Sequence, residues 1–208
     1  MIQDGAKLLD EVLAGAGYRS VEAAVAAHTI FLDPATVEQS EGKAIFPVVR
    51  DATRRDEIAE LPPHGTVLYD DNTTPTRVFL WAAQRKKGPD VQFNHVWPTS
   101  KDPHSYTALW NVCCTPAFLA KTTDTHPVVR DMIRYRSWDL YGMIPDGEGA
   151  PLKPEGYDEL VWADAPPAVE NLEELFRKRL ASAPKSRPAR AARVIGWAFS
   201  DGPDPEIR

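Results

Sequence analysis

The sequence predicts an α+β fold, a helix-rich single domain with an embedded β-hairpin followed by a helix. Three observations predict it. The 208 residues exceed the usual 100–150 of one domain without reaching two. Short helical and extended patterns are interleaved along the chain. Nineteen prolines, about twice the usual share, cut the chain into pieces too short for a coiled coil or most repeat arrays. A composition of 43% hydrophobic and 26% charged residues is near the globular norm, which excludes a disordered tail and a fibrous protein. The net charge of -6 argues against a chain coated in positive charge for unspecific nucleic-acid binding. No apolar run approaches the roughly 20 residues of a membrane span, and MIQDGAKLLDEVL lacks the basic head and apolar core of a leader. A cytoplasmic location with no membrane contact is the expectation. Cys113 and Cys114 are adjacent, where a mutual disulfide would be strained, and no second pair exists to complete a zinc site.

The elements follow in order. Alanine, leucine and valine recur at helical spacing from Ala6 to about Ala14, and again from Ser20, a good N-cap, to about Phe31. Lys43 to Val49 reads as an extended segment interrupted by proline. DATRRDEIAE, with Thr53 and Asp56 in capping-box relation, reads as an exposed helix stopped by Pro62 and Pro63. Thr66 to Asp71 has strand character; Thr74 then caps a helix that opens on Pro75 and stops at Gly88. Val91 to Trp97 and Ala108 to Cys113 are strand candidates flanking the polar loop PTSKDPHSY, and a short helix opens at Thr115 and Pro116. A helix runs from beyond Pro127 to about Tyr141, a loop fills Ile144 to Gly156, DELVWAD has strand character, and PAVENLEELFRKRL is an amphipathic helix. APKSRPARAAR reads as a flexible or surface-lying link. The expected organisation is a helical scaffold over 1–65, a functional core over 66–143 and a C-terminal extension over 144–208.

Functional residue types cluster most densely from Gln92 to Asp124. Here Asn94 and His95 precede Val96, Trp97 and Pro98, and Asn111 follows His95 by sixteen residues. This pattern resembles the ββα-metal finger of HNH-type nucleases, over about residues 92–124 alone. The resemblance implies a metal-dependent DNA endonuclease, with DNA bound through its phosphates and one divalent ion, Mg²⁺ or Mn²⁺, as cofactor. A double-strand cutter with one finger per chain would act as a homodimer. Phosphodiester hydrolysis needs a base for water, charge stabilisation on the phosphorane-like state and fixed geometry. His95 would be the base, its other nitrogen held by a loop carbonyl, and Asn111 would pin that loop.

The metal position departs from the pattern. The helix position that usually carries a ligand falls on Ala120, which cannot bind a cation, and Asn94 offers only a neutral amide oxygen. The open replacements are Asp124, His126, or a carboxylate from Asp70 or Asp71; alternatively Lys121 holds the phosphate directly, or the fold binds without cutting. His104 in the loop is a further candidate for phosphate contact, while His28 and His64 read as structural. Between Arg177 and Arg193 seven cations, Arg187 and Arg190 among them, meet no acid, so this window is +7 and the remainder of the chain -13. That segregation predicts a phosphate-facing patch. Cys113 and Cys114 read as buried apolar residues.

Overall fold

Side-chain caps set where the helices of the N-terminal part begin. In this computed structural model, which describes residues 4–207, the Asp4 carboxylate accepts from the first amides of α1 (Gly5–Gly15). Ser20 does the same for α2 (Val21–His28) and Asp33 for α3 (Pro34–Glu38). Residues 1–3, part of the segment read for a leader, lie outside the described residues. No described helix is long and apolar enough to cross a membrane.

A three-stranded sheet comes next, in the order β1 (Val48–Arg50), β3 (Thr66–Asp70), β2 (Ile58–Glu60), with β1 parallel and β2 antiparallel to β3. The helix expected over 51–60 does not form. Asp51 closes a single 3-10 turn by accepting from the Thr53 amide, Asp56 takes a left-handed φ of 70°, and Ile58 to Glu60 then pair with β3. Strand pairing outweighs the local helix pattern here. α4 (Thr73–Ala82) starts two residues earlier than Thr74 as cap implies, with the buried Asp70 carboxylate accepting from the Thr74 amide at 2.7 Å. Left-handed Gln84 ends it before Gly88.

β4 (Val91–His95) pairs antiparallel with β5 (Val112–Pro116), placing His95 opposite Val112. The second strand starts later than its sequence pattern suggests: Leu109 to Asn111 form a 3-10 turn, which leaves Asn111 at the mouth of the loop. Two single turns, α5 (Ala117–Ala120) and α6 (Thr122–Thr125), lead into α7 (Pro127–Tyr141). DELVWAD is not a strand; a 3-10 turn over Tyr157–Glu159 precedes irregular chain that packs Trp162 on Phe31. α8 (Leu172–Ser182) buries Leu172, Phe176 and Leu180.

The alanine and arginine rich segment is not a flexible link. Ser186 caps α9 (Arg187–Val194), Pro188 occupies its first turn, and Ala189, Ala191 and Ala192 are buried, their small side chains allowing a close approach to neighbouring elements. One hydrophobic core spans all three segments of the chain, from Leu13 through Leu68, Val112 and Phe176 to Ile207. The architecture is mixed α and β, with the β4–β5 hairpin packed on α4 through Phe93 and Phe79.

Candidate functional site

His95 closes β4, and the loop over residues 96–111 folds back over it. The Tyr106 carbonyl lies 2.9 Å from His95 Nε2, and the Tyr106 ring stacks on the imidazole with centroids 4.8 Å apart. A carbonyl only accepts, so Nε2 carries the proton and Nδ1 presents a lone pair, with no protein partner among the described residues. Burial lowers the His95 pKa from the ordinary imidazole value; the Tyr106 carbonyl opposes that shift and the nearby Arg50 charge adds to it. The Arg50 side chain enters no ion pair among the described residues.

Asn111 fixes the loop. Fully buried, it accepts from the Trp97 amide at 2.8 Å, and its Nδ2 donates to Thr99 Oγ1 at 2.7 Å and to the Ser105 carbonyl at 3.1 Å. These bonds hold both arms of the loop that supplies the Tyr106 carbonyl. Asn111 and His95 thus sit in one hydrogen-bonded frame. Sequence spacing singles out both, whereas Tyr106, Thr99 and Arg50 carry no signal beyond membership of polar segments.

The residues expected to hold a metal are engaged otherwise. Asn94 Nδ2 donates across the hairpin to Thr115 Oγ1 at 2.6 Å, and the pair is buried. Ala120 is buried as a methyl group. Asp124 and Lys121 are exposed and form a loose pair at 3.9 Å. His126 accepts from the Val129 amide as the cap of α7. Among the described residues neither His95 nor Asp124 belongs to a group of three or more His, Cys, Asp or Glu close enough to share an ion. The side chains at this hairpin therefore do not fit a family-type metal.

The acidic turn and the basic segment meet each other. Arg187 pairs with Asp56 at 2.5 Å, Asp70 at 2.6 Å and Asp71 at 2.7 Å, and Arg55 adds a second cation to Asp71 at 2.9 Å. Burial works against the Asp71 charge, yet the Thr73 hydroxyl and the Arg187 guanidinium hold its carboxyl well below the usual range. Arg190 donates to the Asp56 carbonyl, Arg177 pairs with Glu173 and Asp204, and Lys178 with Glu174. Three of the seven cations in the window, Arg177, Lys178 and Arg187, thus pair with acids outside it. No family model, curated protein or solved structure matches this chain.

Uncompensated positive charge gathers around one residue of that window, Arg179. Arg77, Arg85, Lys86 and Arg179 line a hollow of about 480 Å³ with Thr73, Thr76, Leu80, Trp81 and Gln84, without one acid in its wall. Two hydrogen bonds link it to the loop over His95: the Tyr106 hydroxyl donates to Asn72 Oδ1 at 3.3 Å, and the Asn72 carbonyl accepts from Thr76. His104, the loop candidate, is exposed and faces His64 across 5.5 Å rather than His95. Cys113 and Cys114 are buried, and burial pushes both thiols up, Cys114 to about 11.

Proposed function

We propose that β4, its loop, β5 and α5 form a ββα finger of the HNH kind, and that the protein hydrolyses phosphodiester bonds in DNA. The observation that carries this reading is the imidazole of His95, held at Nε2 by a loop carbonyl while Asn111 grips both arms of that loop. His95 Nδ1 takes a proton from a water molecule as the water oxygen attacks phosphorus. The bond from phosphorus to the leaving oxygen breaks in line with the attack. The lowered pKa keeps the base neutral at physiological pH. Arg50, close enough to influence His95, supports the negative charge that develops on the non-bridging oxygens. In the HNH family a metal ion supplies such neutralisation, and Asn94, Ala120 and Asp124 as arranged here do not fit one.

The basic hollow of Arg77, Arg85, Lys86 and Arg179 supports a polyanion as substrate, since neutralising each phosphate releases counterions. It replaces Arg187 and Arg190, whose charges are directed at acids and carbonyls of the same chain. A second reading, favoured by the buried methyl of Ala120, is a fold that binds nucleic acid or a protein partner without cutting. Supercoiled plasmid incubated with Mg²⁺ or Mn²⁺, beside duplex binding in EDTA, separates them. Nicking supports the hydrolase, duplex binding without nicking supports the binder, and the absence of both nicking and duplex binding overturns the nucleic-acid reading.

A further inference from the structure

On the far side of the same loop lie three potential ligands from two separate parts of the chain. His64 stands in the turn between β2 and β3, whereas Asp102 and His104 stand in the loop over residues 96–111. Their ligand atoms all lie within 4.8 Å of one another, and the two imidazole centroids are 5.5 Å apart. Both rings are exposed, and neither forms a hydrogen bond through its ring nitrogens among the described residues. The Asp102 carboxylate is already oriented: one oxygen accepts from the His104 amide at 2.9 Å and the other from the Ser105 hydroxyl. Each carboxylate oxygen retains a lone pair for a further partner.

We propose that His64, Asp102 and His104 bind a divalent transition-metal ion of borderline softness, Zn²⁺ being the type. Two imidazoles and one carboxylate suit Zn²⁺ and its neighbours, whereas Mg²⁺ and Ca²⁺ prefer oxygen ligands. Zn–N bonds of about 2.0–2.1 Å in a tetrahedron place ligand atoms about 3.3 Å apart. Starting from separations of at most 4.8 Å, the widest pair closes by roughly 1.5 Å. Rotation of exposed side chains covers that movement without shifting the backbone. The oriented carboxylate lessens what binding must order.

Three protein ligands leave a tetrahedral ion one further position, for water or a small ligand. All three residues border a cleft of about 780 Å³, whose wall also includes Trp110, Ser105 and Trp197. The site also grips the loop that aims His95. The Tyr106 amide donates to the Asp102 carbonyl at 3.0 Å, so two of the ligands, Asp102 and His104, share a single turn with the carbonyl that holds His95. An ion here staples that turn to the β2–β3 corner and stiffens it.

Titration of the intact protein with Zn²⁺ by calorimetry, and with Co²⁺ by visible absorption, tests the assignment. The wild type binds one ion with a dissociation constant in the micromolar range or tighter, and Co²⁺ shows the intense bands of a four-coordinate site. His64→Ala and His104→Ala, both at exposed positions and therefore tolerated by the fold, weaken binding at least tenfold; Asp102→Asn weakens it while keeping the local shape. No ion bound at a hundred micromolar, or affinities unchanged in both histidine variants, overturns the site. Neither titration involves nucleic acid, so the result is independent of whether His95 hydrolyses it.

Discussion

Replacing Asn111 by alanine removes the side chain that ties the loop to the hairpin. The three hydrogen bonds removed are unequal. Without Asn111 Oδ1 the Trp97 amide, in a residue 3% exposed, is left with no acceptor, which costs about 1–3 kcal/mol. The Ser105 carbonyl keeps the Ala108 amide as a donor, and Thr99 can turn to water, so these two losses cost about 0.5–1.5 kcal/mol each. The total is about 2–6 kcal/mol, and a middle value of about 4 kcal/mol corresponds to a fall of about 8–16 °C in Tm for a chain of this size. Thr99→Ala removes one of the three bonds and leaves one N–H of the buried Asn111 amide without an acceptor, so it costs about 1–3 kcal/mol. Urea unfolding followed by tryptophan fluorescence measures both, and the two variants should share the wild-type m value. An Asn111→Ala loss under 1 kcal/mol, or one no larger than that of Thr99→Ala, refutes the role given to Asn111 in holding the loop.

Other perturbations follow from the same geometry. Because the His95 pKa is lowered, the neutral form is favoured in the folded state; its stabilisation is present above pH 6.5 and is lost as pH falls through the folded value. The acid limb of the pH–rate profile, and the His95 resonance in an NMR titration, should therefore have midpoints below 6.5, and midpoints above it contradict the burial argument. Arg187→Met leaves Asp70, which has no exposed surface, without its cation and should cost about 3–5 kcal/mol in denaturant unfolding; a loss under 1 kcal/mol would show that the pair does not matter. Alanine at both Arg77 and Arg179 should make duplex binding less sensitive to salt, lowering the slope of log K against log salt by about 0.9 for each phosphate left un-neutralised; an unchanged slope moves the phosphate surface elsewhere. Both cysteines should resist iodoacetamide at pH 8 in the folded protein and react once it is unfolded; rapid alkylation of the native protein contradicts their burial.

Where a signal is local, the sequence carries it. The cap Ser20, the proline-opened helix α7 and the alternating VQFNHVW strand all act within a few residues, and the structure places them close to where the pattern does. The paired His95 and Asn111 are legible because one hairpin brings both ends of the loop together. Long-range pairing is not legible. Arg187 meets Asp70 across 117 positions, so it reads as free charge in the +7 window although acids far away in the chain pair with it. For the same reason Ile58 to Glu60 reads as helical without the partner strand that β3 supplies, and His64 reads as structural without the loop that carries His104 beside it. The basic hollow combines α4 with α8, two helices separated by about half the chain, and no window of sequence contains it.

At the centre of the proposed chemistry, the imidazole of His95 takes the proton from attacking water. Its most direct test compares wild type with His95→Ala and His95→Gln on supercoiled plasmid, together with duplex affinity measured by fluorescence anisotropy. Both variants are expected to stay folded and to bind the duplex within about twofold of wild type. Their cleavage rate should be at least 100-fold lower, the usual size of a lost general base. Cleavage by either variant at a rate near that of the wild type would contradict the role of His95 as the base.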